Sequence, residues 1–270
     1  MLRSLELVSS WPVDTVAVAV VDRTGVIASI GSDAVLPWAS VTKPVTALAV
    51  LAAVRDGVVS LDDAAGPPGA TIRHLLAHAS GIAISDDGVL AQPGQRRIYS
   101  NRGFEVLAEA VADRAGAPFT DLLIDLVLDP LDMKDARLEG SPASKLRGSI
   151  FDLAAVGREL LVPTVAPALM GEATAVVFPG LSGVLPGFGR QVPNDWGLGF
   201  EIRDQKSPHW TGTDNSPATF GHFGQTGTFL WADPVAGLAC ACLTDRDFGE
   251  WALPLWPALS DAILREHAGR

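Results

Sequence analysis

Residues 37–43 read PWASVTK, placing Ser40 three positions before Lys43 at the front of the apolar run PVTALAVLAAV. Proline is tolerated only in the first turn of a helix, so Pro44 forbids a helix that begins much before Ser40. Ser40 therefore stands at or just before a helix N-terminus. There, unpaired backbone N–H groups and the positive dipole end favour a developing negative charge. Lys43 falls on the same helix face, with the two Cβ atoms roughly 5–6 Å apart. An amine held there, if partly desolvated, has a depressed pKa and can take the serine proton. That is the chemistry of an activated serine nucleophile. A second reading stays open at this point: Ser40 as an N-cap and Lys43 as a solvent-facing charge, much the commoner outcome for an isolated S-x-x-K.

Other chemistry-bearing residues are weaker candidates. His74 and His78, at i and i+4, have metal-ligand spacing but no third ligand in a suggestive position. They read as helix-end histidines, and neither a metal nor a cofactor is expected. Ser80 lies in HASGI, without the G-x-S-x-G of an α/β-hydrolase elbow. Cys240 and Cys242, the two cysteines, lie two apart in an apolar run and read as small buried strand residues. Tyr99 is the single tyrosine, and Asn101 fits the N-cap of the helical pattern that follows it.

The elements that must position these residues can be read from periodicity. DTVAVAVVDRTGVIASIGS predicts a hairpin around Asp22-Arg23-Thr24-Gly25. A helix follows over about 41–55, closed by Asp56-Gly57, with Gly57 suited to a left-handed C-terminal position. Further helical patterns are TIRHLLAH, RGFEVLAEAVADRAG (ending at Gly116), PFTDLLIDLVLDPLDM (stopped near Pro130) and FDLAAVGRELL. Strand-like runs return in WGLGFEI, ATFGHFGQTGTFLWAD and AGLACACLT. EWALPLWPALSDAILREH reads as a terminal helix interrupted by proline. Strands at both ends with helices between them predict one sheet built from the two termini, beside a helical insertion.

At 270 residues and 48% hydrophobic, the chain can bury a large core and suits one catalytic unit in two lobes. The net charge of -11 is spread without a basic stripe, which argues against nucleic acid or an anionic membrane as partner. Glu6 interrupts the apolar run a secretory signal needs, and the apolar stretches are too short or too broken to span a bilayer. A cytoplasmic location is the expectation.

Several segments together resemble the serine β-lactamase and penicillin-binding-protein superfamily, in the branch of class C β-lactamases, D-Ala-D-Ala carboxypeptidases and family VIII esterases. SVTKPVTALAVLAAVRDGVVSLDD is similar to the first motif of that branch and the helix after it, and TIRHLLAHASGI to its HLLTHTSGL segment. Tyr99-Ser100-Asn101 matches its Tyr-x-Asn motif, and His222-Phe223-Gly224 its Lys/His-x-Gly motif. LDPLDMKDARL resembles the PLGM segment, with Asp132 where glycine is usual. The likeness covers most of the chain outside about 141–194.

The resemblance implies an α/β (α+β) fold of the β-lactamase/transpeptidase type, one catalytic domain over 1–270. Residues 11–36 and 196–270 would form an antiparallel sheet with flanking helices, and 37–195 a mainly helical subdomain. It implies Ser40 as acylated nucleophile, with Lys43 or Tyr99 as base, the choice between them open. Asn101 would bind Lys43 and the substrate's amide or ester region. His222 would line the far wall of the cleft, Gly224 would let backbone approach the substrate, and the amides of Ser40 and Gln225 would form an oxyanion hole. The substrate would be a small ester, amide or β-lactam. Histidine in place of lysine in the third motif weakens carboxylate binding near neutral pH. Together with the missing signal, this points to an intracellular esterase on small esters, with a D-Ala-D-Ala carboxypeptidase or D-aminopeptidase, or a weak β-lactamase, as alternative. A non-catalytic penicillin-binding-like module is the rival of another class, disfavoured by the intact Ser40, Lys43, Tyr99 and Asn101.

Overall fold

The structure is a computed structural model and describes residues 3–268. After a 3-10 segment, Arg3–Ser10, the chain forms β1 (Val16–Asp22) and β2 (Gly25–Gly31). The hairpin turn is the expected one: the Asp22 carboxylate accepts from the Thr24 N–H at 2.7 Å and its hydroxyl at 2.6 Å. β3 (Leu36–Pro37) leads through a 3-10 turn, Ala39–Val41, into α1 (Thr42–Arg55). Then come α2 (Ile72–Leu76), α3 (Asn101–Ala115) and α4 (Phe119–Leu123), the last continuing as a π turn to Leu128. β4 (Arg137–Leu138), β5 (Leu146–Gly148), α5 (Ile150–Leu161), α6 (Pro167–Ala173) and the hairpin β6 (Gly183–Leu185) and β7 (Gly189–Gln191) follow. β8 (Glu201–Ile202), β9 (Phe220–Gly224), β10 (Thr228–Asp233), β11 (Leu238–Thr244) and α7 (Ala252–Ala268) close the chain.

The main sheet has the order β2-β1-β11-β10-β9-β8, every pair antiparallel. β1 pairs with β11, from Val16 opposite Thr244 to Val21 opposite Ala239, so the two ends of the chain meet in the sheet's centre. Both sheet faces are covered, which is why these strands read as continuous apolar runs. The two-residue period still sorts them. Ala17, Ala19, Val21, Ala239, Ala241 and Leu243 belong to one core with α1, α3 and α5. Val18, Val20, Leu238, Cys240 and Cys242 belong to a second core with Trp256, Leu259 and Ile263 of α7. The cysteines are buried and free, as expected.

α1 is buried from Thr42 to Ala53 on every side, which explains its unbroken apolar sequence and its lack of a polar stripe. It is the axle between sheet and helices, and it holds Lys43 in its first turn.

Two local features depart from the sequence reading, and two more add detail to it. WGLGFEI is strand only at Glu201–Ile202. Gly199 sits at φ +88, and a Cβ there would lie 2.2 Å from the Ala47 Cβ, so this backbone presses onto α1 instead of extending the sheet. α7 runs unbroken through Pro257, because its buried face of Trp256, Leu259, Ser260 and Ile263 packs on the sheet and outweighs one lost hydrogen bond. Residues 37–195 are helical but also carry the small sheet β3-β5-β4 and the hairpin β6-β7. Asp132 adopts φ +55, a left-handed turn position that favours glycine. Among the described residues no helix is long and apolar enough to cross a membrane.

Candidate active site

Ser40 lies in the 3-10 turn that feeds α1, one residue after Ala39 at φ +44. A left-handed alanine is strained, and it is held because β9 closes against it. A Cβ on Gly224 would meet the Trp38 carbonyl oxygen at 2.6 Å and the Ala39 Cβ at 3.0 Å. Gly224 therefore admits the Ser40 turn, and the close approach seen here is to protein rather than to open cleft. The Thr228 hydroxyl also donates to the Trp38 carbonyl, at 2.9 Å.

Lys43 is fully buried. Its Nζ lies 2.7 Å from Asn101 Oδ1, 2.9 Å from the Ala143 carbonyl oxygen and 3.3 Å from Ser40 Oγ. Among the described residues no carboxylate bonds it. Burial pushes its pKa well below the ordinary lysine range, and the more distant Glu105 offsets only part of this. The Tyr99 hydroxyl donates to Ser40 Oγ at 2.7 Å. Burial pushes the Tyr99 phenol up, so it is neutral at physiological pH. The Lys43 nitrogen also stands 4.6 Å from the Tyr99 ring centre.

The helix that presents Asn101 is capped differently from expectation. The N-cap is Ser100, whose hydroxyl accepts from the Gly103 N–H at 2.8 Å. Asn101 is the first helical residue, and its amide is thereby released to reach Lys43. The segment 141–146, silent in sequence, fastens the other side of α1. Thr46 donates to the Pro142 carbonyl and the Leu146 N–H donates to Thr42, placing the Ala143 carbonyl on Lys43.

His222 is buried in β9, the strand next to the edge strand β8. Its Nδ1 is 2.6 Å from the Phe223 carbonyl, which can only accept, so Nδ1 carries the proton and Nε2 is a bare, buried lone pair. Burial, with Lys43 adding repulsion, pushes its pKa down to about 3. The ring offers no cation and no spare N–H. Gln225, exposed at the end of β9, lines the same pocket as Ser40, Tyr99 and His222. That pocket holds about 170 Å³.

Sequence reasoning missed the pocket's back wall. His78 is buried after α2 at φ +53, its Nδ1 accepting from the Ser100 N–H, its ring 4.6 Å from Tyr99 and 4.7 Å from Trp196. It is a packing residue under Tyr99 and not simply a helix-end histidine. His74 instead stacks on Phe178 at 4.4 Å. Glu201 is 2% exposed and also lines the pocket. Burial opposes its ionisation, but Lys206 at 3.2 Å and the N–H groups of His209 and Trp210 win and hold its pKa at about 2. A lone acid within WGLGFEI was the available signal. Among the described residues no group of three or more His, Cys, Asp or Glu is placed to hold a metal. Ser80 is buried away from this pocket.

An antiparallel sheet made by both chain ends, packed on helices whose N-terminal ends bring a lysine and a tyrosine to one serine, defines the β-lactamase/transpeptidase class of fold. The chain belongs to the Beta-lactamase family, a family of serine hydrolases, whose model matches residues 12–262. A structure described as a beta-lactamase from Mycobacterium bovis is 54% identical, with a TM-score of 0.97 over 98% of this chain and 99% of that one. A D-alanyl-D-alanine-carboxypeptidase/endopeptidase of Escherichia coli K12 is 29% identical over 147 residues, covering 41% of this chain and 38% of that relative. EstCE1, described as a hydrolase with promiscuous acyltransferase activity, shares the fold at 18% identity, with a TM-score of 0.78 over 97% of this chain and 96% of that one.

Proposed function

We propose that the protein is a serine hydrolase working through an acyl-serine intermediate, and that its substrates are small esters. The observation that carries this is the hydrogen-bond count at Lys43. A neutral amine has two N–H groups and one lone pair. With the amine neutral, as its depressed pKa favours, Asn101 Oδ1 and the Ala143 carbonyl take the two N–H groups, and the Nζ lone pair faces Ser40 Oγ at 3.3 Å, where it can accept the hydroxyl proton. Lys43 is then the base, accepting the Ser40 proton as Oγ attacks the ester carbonyl. The amides of Ser40 and Gln225 would stabilise the oxyanion, an effect of a few kcal/mol per donor. Tyr99, neutral and already donating to Ser40 Oγ, is suited to pass the proton to the departing alcohol. Water then attacks the acyl-enzyme, Lys43 again serving as base, and releases the acid.

β-Lactam hydrolysis is the second reading, favoured by the description of the 54% identical structure. Against it, the pocket wall holds a neutral His222 and an ionised Glu201 where a substrate carboxylate would need a cation.

Hydrolysis of p-nitrophenyl acetate and butyrate by the wild type and by Ser40→Ala tests the proposal. The expected result is a loss of about 10⁴-fold or more in kcat/KM for the variant. Equal rates in the two proteins would remove Ser40 as nucleophile. Faster turnover of a chromogenic cephalosporin than of either ester would favour the second reading.

A further inference from the structure

The pocket at Ser40, at about 170 Å³, is smaller than an ordinary small-molecule site. It opens into a cleft of about 870 Å³, the two sharing Ile84, Tyr99 and Pro186. The cleft is built where the loop before Tyr99 meets the β6-β7 hairpin: Arg97 bridges Gly183, and Val184 pairs directly with Arg190. Its lining is apolar through Ile84, Leu90, Ile98, Val184 and Pro186. Leu90 and Val184 are 60% and 61% exposed, large values for aliphatic side chains beside a reactive pocket.

Charge is distributed unevenly between the two spaces. In the inner pocket His222 is neutral and Glu201 is matched by Lys206, so no free cation faces an anion close to the scissile carbonyl. The outer cleft carries Arg96 and Arg190, both exposed, and neither has an ion-pair or side-chain hydrogen-bond partner among the described residues. In this protein most arginines near acids are paired: Arg55, Arg73, Arg102, Arg114, Arg137 and Arg265 all hold carboxylates. Beneath the cleft, Arg97 is buried and spends its guanidinium on the carbonyls of Ala77, Val177, Phe178 and Asn194. Its cation adds to the positive potential of the floor. Asp86 is the opposing acid on the lining, and its Oδ1 accepts from the Gly88 N–H at 2.8 Å.

We infer that the outer cleft is a distal anion subsite in which Arg96 and Arg190 select esters whose acyl group ends in a carboxylate or phosphate, separated from the scissile carbonyl by an apolar segment. The inference rests on the reading of Ser40 as an esterase nucleophile. The apolar lining takes the methylene segment, and the guanidiniums on the same cleft wall take the terminal anion, a fork geometry suiting either oxyanion.

The test uses p-nitrophenyl hemiesters of straight-chain dicarboxylic acids of increasing length. Each is compared with its neutral ω-methyl ester and with an ω-phosphate analogue. The expected result is a kcat/KM ratio of charged to neutral substrate of roughly tenfold at one optimal chain length, falling with added salt. In Arg96→Ala/Arg190→Ala the ratio drops to about one, and in Arg96→Glu/Arg190→Glu it inverts. The carboxylate and phosphate arms show which anion is preferred. A ratio near one in the wild type at every length, or one unchanged in the double variants, would overturn the inference. Calorimetric binding of the corresponding ω-carboxylate amide and its ω-methyl ester to Ser40→Ala reads the subsite without turnover. Preferential binding of the carboxylate there supports the subsite even if wild type and Ser40→Ala hydrolyse esters equally, the result that would remove only the nucleophile assignment. Equal binding of the two amides would count against the subsite.

Discussion

Lys43 and Lys206 are both sealed from solvent, at 0% and 5% exposure, and each bonds a residue that lines the Ser40 pocket, yet their partners differ in kind. Lys206 meets a carboxylate, Glu201 Oε1 at 3.2 Å, and donates to the carbonyls of Asp195 and Ile202. Lys43 meets an amide oxygen, a carbonyl and a hydroxyl. Burial without a bonded counter-charge makes an amine a base; burial beside a carboxylate makes an ion pair. Glu201 completes the contrast: its carboxylate is held ionised at a pKa of about 2, whereas no acid bonds Lys43. One lysine is poised to gain a proton, and the other is tied to a carboxylate and two carbonyls.

The contrast predicts opposite phenotypes. Lys43→Met should lower kcat/KM for esters by about 10³-fold or more while the fold persists. Lys206→Met should cost about 3–5 kcal/mol of stability, since it strands Glu201 as a buried, unpaired charge. Thermal unfolding of both variants beside ester kinetics checks this. A Lys43→Met protein as destabilised as Lys206→Met would erase the distinction. The acid side sharpens it. Glu201 has a folded pKa of about 2, below its unfolded 4.5, so its contribution is fully present above about pH 4.5. It is lost as pH falls from there toward 2, and Glu201→Gln should flatten that part of the Tm profile.

A smaller effect is expected at Gly224→Ala. The added methyl meets the Trp38 carbonyl and displaces the Ser40 turn, costing about 1–3 kcal/mol and lowering kcat more than it raises KM. Smallest is the pH response of His222. With a pKa of about 3 it stays neutral between pH 5 and 9, so His222→Gln should leave the shape of the kcat/KM profile unchanged across that range. Lys43 must be neutral to act, so activity should rise with pH through its depressed pKa. The raised Tyr99 pKa means no alkaline loss from phenol ionisation below the ordinary tyrosine range.

The same contrast marks what the sequence could tell. Ser40 and Lys43 were legible from a local helix-start signal, Pro44, whereas Tyr99 and Asn101 stood out as candidates through the likeness of Tyr99-Ser100-Asn101 to a family motif. The hairpin β1-β2 and the apolar strands β10 and β11 followed from period and turn chemistry. Lys206, Glu201, His209 and His78 were not legible as site neighbours. They come together through contacts between segments that carry few periodic residues, and part of what they bond is backbone, two carbonyls for Lys206 and an N–H each for His78 and His209, which leaves no trace in residue type. The Ala143 carbonyl on Lys43 is the plainest case: any residue could supply that oxygen, and only the fold of 141–146 puts it there. Asn101 was read as a cap when Ser100 holds that role, because two adjacent capping residues compete and the sequence alone does not rank them.

The most direct test of the account is intact-mass analysis after incubation with a fluorophosphonate at neutral pH. The expected result is a single adduct on the wild type, mapped to Ser40, absent from Ser40→Ala and formed far more slowly on Lys43→Met. A wild type that stays unlabelled, or a Ser40→Ala protein labelled as fast as the wild type, would contradict it.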